Sequence, residues 1–466
     1  MDHIQVSVLK AAGVLPALPE QISARQKAAR WASFTARVFF AAVVILIPLR
    51  YRITLLARPV PAVYDVYTDF LFFPTDAAML LTLASWLISQ ALAPCRLELG
   101  PRHIWIPLAA LTAAGLISVA SSYDAALSLY HAIRLVALFW FYLFVVNELT
   151  SPAWILIPAG VQIASQSIIA LAQFIAQRSV GLQWLGELPL NPALTDTSVV
   201  VAGGLRLLRA YGLTDHPNIL GGCLAFGLVL LLPSVLRWPA PPAAFSVFIS
   251  AGAALLVSFS RAGWLAFLLG AAFVAGIEFI NRRREVIKPL LSLSLACLIL
   301  LASFVLAYRQ FFGVRLNAGN SFSGLTPERQ SIGERVLLIN TALPLLQQHP
   351  LLGIGLGVTP LALKAYYPNF SLAYEPPHWA LFDAALETGV LGGSSYLALL
   401  TFPVLVYIRR GKALMTSPLI TVSLALLLSI GLVGFFDYYT WLLVPGRTWQ
   451  WLAWGLWGFA LQGGTA

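Results

Sequence analysis

Six histidines and a scatter of arginines carry most of the chemistry this sequence can offer. His216, His349 and His378 fall between apolar runs, His131 lies within one, and His3 and His103 flank others. No two histidines have the i, i+4 spacing of a helical metal pair. The three cysteines, Cys95, Cys223 and Cys297, do not join them, so no metal site is read here. His378 is the histidine best suited to catalysis. It stands beside Glu375, behind Pro376-Pro377 and ahead of a helix start, where an imidazole can titrate near neutral pH and act as a general base.

Arg209 opens the stretch Arg209-Ala-Tyr-Gly-Leu-Thr-Asp-His-Pro-Asn218, and Arg261 occupies the tight turn Ser260-Arg261-Ala262-Gly263. An arginine at a span end is usually a snorkelling anchor. In so short a turn Arg261 has little apolar surface to shield, so its side chain must face a cavity or headgroups. Several arginines with a histidine at one depth suit a phosphate-bearing lipid, because guanidinium groups grip phosphate oxygens bidentately. Asp437, within Phe435-Phe436-Asp437-Tyr438-Tyr439-Thr440-Trp441, can orient an arginine or histidine, or be one solvated acid in an interfacial aromatic belt. Asp383 and Glu387, four apart, share a helix face and are expected to line a polar cavity or pair with a cation. Gly353-Ile354-Gly355-Leu356-Gly357 lacks the Gly-Lys-Ser/Thr of a phosphate loop and reads as a flexible or closely packed turn.

These residues have to be positioned by membrane helices. Of 466 residues, 59% are hydrophobic and 10% charged, and the mean hydropathy is +0.81. A soluble domain is roughly 25% charged, so a soluble enzyme, a disordered scaffold and a disulfide module are excluded. The net charge of +10 comes with no basic stripe or recognition motif, and no nucleic-acid partner is expected. Apolar runs long enough to cross a bilayer occur near 34–54, 69–92, 104–121, 125–147, 153–176, 216–236, 242–260, 263–281, 288–308, 387–408, 415–436 and 448–464. The fold class is therefore an all-α integral membrane protein of about twelve helices.

The basic clusters Arg282–Arg284 and Arg409–Lys412 set those loops inside. Residues 1–308 are then nine spans with a cytoplasmic N-terminus, 309–386 a long periplasmic loop, and 387–466 three spans with a cytoplasmic C-terminus. Within the loop, Ile332, Val336, Ile339, Leu343 and Leu346 recur at helical spacing from Pro327 to His349, with Glu328, Arg329, Glu334 and Arg335 in the first turns. This is the pattern of an interfacial amphipathic helix.

The order of these motifs resembles the O-antigen ligase and polymerase family of bacterial envelope glycosyltransferases. Four stretches carry the likeness: Arg209 to Asn218; Ser260-Arg261 at a span start; Arg335 followed by His349-Pro350-Leu351-Leu352-Gly353-Ile354-Gly355; and His378 with Leu381, Glu387, Gly389 and Val390-Leu391-Gly392. The resemblance implies a GT-C-like transferase of the bacterial inner membrane with a periplasmic active site and no cofactor or metal. Its donor would be an undecaprenyl-diphosphate-linked glycan and its acceptor lipid A–core oligosaccharide. By likeness, Arg261 and Arg335 bind the donor diphosphate with support from Arg209, and His378 activates the acceptor hydroxyl. Asp437, Glu387 and Glu375 support them. Trp379 departs from the Asn or Ser that often follows the histidine in the family.

Within the resemblance, a polymerase or a protein O-glycosylating enzyme shares the same arginine–histidine set. The moderate loop and the lack of a large soluble C-terminal domain favour a ligase over the protein-glycosylating type. A secondary transporter is the rival from another class, with His131, Arg134 and Glu278 as relay groups, but no repeat relates the two halves.

Overall fold

The computed structural model describes residues 23–236, 241–281, 283–316 and 327–463. His3 and Arg282 lie outside the described residues, as do the side chains of Arg284, Glu328, Arg329 and Ile332. Nine helices come first: α1 (Ala24–Leu46), α2 (Pro74–Leu92), α3 (Arg102–Ile117), α4 (Ala125–Glu148), α5 (Ala153–Ala176), α6 (Pro217–Val235), α7 (Pro242–Val257), α8 (Arg261–Ile280) and α9 (Arg284–Ala307). Then follow α10 (Arg309–Leu316), α11 (Pro327–Gln348), α12 (Thr359–Tyr366), α13 (Ala380–Arg410), α14 (Lys412–Met415), α15 (Pro418–Phe436) and α16 (Val444–Gly463).

The twelve expected spans fall on α1–α9, α13, α15 and α16. Ten of the described helices are long and apolar enough to cross a membrane. The other two are α7, which has 16 residues, and α16, which carries Arg447 and Gln450 early in its length. The chain is a multi-pass membrane protein built on helices. On α9, Leu291, Leu295, Leu298 and Leu306 are exposed and present an apolar surface suited to lipid.

Two helices depart furthest from the expected boundaries. The first helix covers Ala24–Leu46 rather than 34–54, because Ser23 and Gln26 form a capping box and Pro48 forbids continuation. The tenth span begins at Ala380 rather than 387, moving the end of the long loop with it. Asp383 and Glu387 dilute the apolar pattern of those first turns, so the apolar run starts later than the helix.

Two hairpins also interrupt an otherwise helical chain: β1 (Ile53–Leu56) with β2 (Phe70–Phe72), and β3 (Val199–Ala202) with β4 (Leu205–Leu208). Gly203 and Gly204, both at positive φ, form the two-residue turn of the second. A glycine pair between apolar stretches was the available signal for it.

Hydrogen bonds between connections sort them into two ends of the bundle. At one end Arg50 N donates to Leu213 O, Ala210 N to Val257 O and Tyr123 N to Ile354 O. At the other, Arg25 donates to Ala91 O, Asn281 to Met415 O and Trp457 to His103. The helices therefore alternate in direction.

The Gly353–Gly357 run is a closely packed turn. α13 breaks at Gly389, whose φ is +68°, and the chain before the run docks into the break. Val390 N donates to Pro350 O, Ile354 N to Leu386 O and Gly355 N to Glu387 O. A Cβ at Gly389 would stand 2.0 Å from Leu351 O, so only glycine fits.

Candidate active site

The end of the bundle that carries the hairpins holds a cavity of about 730 Å³. It collects Arg209, Arg261, Arg335, Glu375, His378 and Asp437, from five separate stretches of sequence. Arg52, Arg206 and Arg315 join the arginines, and His216, Tyr67 and Tyr438 complete much of the wall.

A strained turn organises the basic side. Between α7 and α8, Phe259 is buried at a φ of +50°, a conformation rare for a residue with a side chain. Its carbonyl accepts from Arg315 Nε at 3.0 Å, and the preceding Ser258 carbonyl accepts from Arg209 Nε at 2.9 Å. Ser260 then caps α8 by accepting from Gly263 N, leaving Arg261 at the positive end of the helix. Close approach of α6 and α8 brings Arg261 to the cavity. A Cβ at Gly263 would meet the Gly221 carbonyl at 2.8 Å.

Arg209 is a buried strut. Besides Ser258 O, it donates to Ser198 Oγ at 2.9 Å and to Asn218 Oδ1 at 2.7 Å. Asn218 Nδ2 in turn donates to Asp437 Oδ2 at 3.2 Å. One chain of hydrogen bonds thus joins the α7–α8 turn, β4, the start of α6 and the end of α15. Burial, with the neighbouring Arg315, Arg261 and Arg335, pushes the Arg209 pKa well below the ordinary guanidinium range. Such a self-repelling cation cluster is relieved by an anion.

Arg52 is held by Asp215, whose carboxylate also accepts from Arg50 Nε at 2.7 Å. Arg206 hooks the 192–194 loop through the Pro192 and Leu194 carbonyls while lining the cavity, so both Arg206 and Arg209 reach it. Arg335, on α11, donates from Nη1 to Phe436 O. His216 caps α6, its Nδ1 accepting from Asn218 N at 3.1 Å, so its proton resides on Nε2. Burial, with the arginines around it, keeps it neutral.

The opposite side is acidic and aromatic. The His378 ring meets Tyr438 edge-on at 5.0 Å, and the Tyr438 hydroxyl is hydrogen-bonded to that of Tyr67. Burial pushes the His378 pKa down to about 4, with Asp437 opposing and Arg335 assisting. The sequence placed this imidazole near neutral pH, which overlooks its burial. Glu375 moves the other way, up to about 7, through burial and then through Asp437 and Glu334.

Glu387 is not part of this cavity. Its carboxylate accepts from Thr359 Oγ1 and from Trp441 Nε1, each at 2.8 Å, and so braces the turn packed on α13. Asp383, a turn earlier, is buried in the same helix and lies outside the cavity lining. Trp379 stacks on Phe382 and packs edge-on against Phe435, also outside the lining. His349 packs against Tyr123. The residues weighed as a relay do not form one chain. Arg134 is paired with Asp76 at 2.6 Å beside His131, whereas Glu278 faces Arg283 at 3.5 Å near the far end of α8.

Residues 245–397, which include Arg261, Arg335, Glu375 and His378, match the family model described as O-antigen ligase. Over that stretch the chain is similar to the O-antigen ligase and polymerase family. A search of curated proteins returns no match. That likeness supports glycosyl transfer as the general role and a lipid-linked glycan as the substrate class. Arg209 and Asp437 lie outside the matched stretch; Asn218 links them to each other, and Arg209 joins the stretch through Ser258 O. Sequence reasoning gave no role to Arg52, Arg315, His216 or the tyrosine pair. The alternation of spans did set Arg52 and His216 on the outer side, without giving either a role.

Proposed function

We propose that the chain is an O-antigen ligase. It would move a preassembled glycan from undecaprenyl diphosphate to a hydroxyl of lipid A–core oligosaccharide, at the periplasmic face of the bacterial inner membrane, on a GT-C-like framework. The supporting observation is the charge of the cavity. Six arginines and the four acids Asp215, Glu334, Glu375 and Asp437 line it. That leaves a surplus of two positive charges, which a diphosphate diester neutralises.

In this reading Arg261 and Arg335 grip the diphosphate, with Arg315, Arg52 and the Nε2–H of His216 beside them. Arg209 holds the turn that positions Arg261 and Arg315. As the anomeric carbon–oxygen bond breaks, negative charge grows on the leaving diphosphate, and preorganised guanidinium groups stabilise it without a metal. The acceptor hydroxyl attacks from the opposite side and inverts the anomeric configuration. His378, neutral and therefore able to accept, takes the hydroxyl proton. Holding donor and acceptor in one cavity supplies the orientation effect.

The test uses membranes of cells deleted for the gene, as the source of both donor and acceptor, with purified protein and EDTA. Transfer to lipid A–core that survives EDTA and is lost in His378→Ala and in Arg261→Ala is the expected result. A lengthened donor glycan with no lipid A–core product would instead make the protein a polymerase.

A further inference from the structure

A second cavity, of about 220 Å³, lies among the first turns of α2 and α16 and the second and third turns of α4. These turns are at the end of the bundle that holds the active cavity. At 1.5 Å per residue, its deeper cation, Arg134, stands about 14 Å along α4. The wall is mostly apolar, with Leu71, Met79, Leu138 and Leu442 in it. Two lining residues on neighbouring helices, Leu80 of α2 and Ile133 of α4, are 53% and 58% exposed. On apolar spans such exposure faces acyl chains, so the cavity opens sideways into the leaflet at that end.

Its charged groups are two arginines and one acid. Arg134 is engaged: its Nη2 donates to both Asp76 oxygens at 2.6 Å, and its Nη1 to the Tyr130 hydroxyl. Arg447 is not. It is 5% exposed, its Nε donates to Trp441 O at 2.6 Å, and its guanidinium lies over the Trp441 ring. Its Nη2 is buried with no hydrogen-bond partner, and among the described residues no carboxylate comes within 4 Å of it. The Nδ1 of His131, in the same wall, is buried and unpartnered as well. A cation kept in an apolar wall with a donor unmet is costly, and an ionisable residue at membrane depth marks a ligand.

Arg134 and Asp76 cancel, which leaves the cavity one surplus positive charge, on Arg447. A ligand that offsets it has one negative charge and brings its own acyl chains through the lateral opening. The volume is below the range of about 300–1,000 Å³ usual for a whole small-molecule site, so it takes a headgroup and not a glycan. We propose that this cavity binds the phosphodiester headgroup of an anionic glycerophospholipid, with Arg447 on the phosphate oxygens and the acyl chains leaving past Leu80 and Ile133. Leu442 and Val444 line this cavity, whereas Tyr438, Tyr439 and Leu443 line the active one. The bound lipid therefore backs the connection between α15 and α16 that walls the active site. The proposal does not rest on the transfer reading.

The experiment is photo-crosslinking of full-length protein in phosphatidylcholine nanodiscs with a phosphatidylglycerol that carries a diazirine on its acyl chain near the ester. Peptide mapping should place the label on residues 71–80 and 130–138. Unlabelled phosphatidylglycerol should compete it away. In Arg447→Gln, half-saturation should need about 10- to 150-fold more lipid, as for the loss of one charge-assisted contact. Ala137→Phe fills the cavity and leaves every charged group in place. It should abolish the label at an unchanged melting temperature.

Equal labelling of these peptides by a phosphatidylcholine analogue would make the lipid an annular one and overturn the assignment. Undiminished labelling in Ala137→Phe would overturn it also, even if Arg447→Gln does not fold. Displacement of the label by lipid A at lower concentration than by phosphatidylglycerol would overturn it in favour of a phosphorylated glycolipid.

Discussion

Replacing Arg209 by lysine separates charge from geometry at the centre of the site. The guanidinium donates to Ser258 O, Ser198 Oγ and Asn218 Oδ1 at 2.9, 2.9 and 2.7 Å. A lysine keeps the charge but not the planar fork, and one ammonium on that stem can satisfy only one of three acceptors that lie in different directions. Hydrogen bonds to a charged group contribute about 1.5–3 kcal/mol each, so losing two costs about 3–6 kcal/mol. The charge, and with it the repulsion from the neighbouring arginines, is unchanged, so the net loosening is about 3–6 kcal/mol. It should be local, since the bonds join the α7–α8 turn to β4 and α6 and not the helices to one another.

Hydrogen–deuterium exchange reads it directly. The amide of Ala210, bonded to Val257 O, and that of Gly263, bonded to Ser260 Oγ, should exchange at least about 100-fold faster in Arg209→Lys. The amides in the middle of α15 should be unchanged. Exchange within threefold of wild type at Ala210 and Gly263 would refute the strut and leave Arg209 as a point charge.

Gly389→Ala places a Cβ 2.0 Å from the Leu351 carbonyl at a φ that alanine resists. It should detach the Pro350–Gly357 turn, cost upward of about 3 kcal/mol, and appear as a lowered melting temperature in a detergent thermal-shift assay. Asp215→Asn removes the charge that pairs with Arg50 and Arg52. Both groups are partly exposed, so the loss of stability should be under about 1 kcal/mol. The freed Arg52 should still raise the salt sensitivity of donor binding, measured as the slope of log Kd against log salt.

Much of the site was legible because its chemistry sits in short stretches. Arg209 to Asn218, Ser260-Arg261, Arg335 and Glu375 to His378 each read as polar interruptions of apolar runs, and all line one cavity. What was not legible depends on packing. Nothing local distinguishes Glu387, which braces a turn, from Glu375, which faces the cavity. The difference lies in Thr359 and Trp441, distant in sequence, which supply the Glu387 partners. Likewise Arg315 gains its place through the Phe259 carbonyl, aimed by a backbone conformation that the residue type does not advertise. The helical spans followed from composition alone, but their ends did not. The ends are set by Pro48, by the Ser23 cap and by the break at Gly389, which compete with hydropathy over a few residues.

The central claim is that this arginine-lined cavity holds a lipid diphosphate. The most direct measurement is equilibrium binding of undecaprenyl diphosphate to the full-length protein in nanodiscs, with EDTA present, for wild type, Arg261→Ala and the double variant Arg261→Ala/Arg335→Ala. Loss of one charge-assisted bidentate contact should weaken binding by about 10- to 150-fold, and loss of both by more than about 100-fold. Equal affinity in wild type and the double variant would place the diphosphate elsewhere and contradict the account.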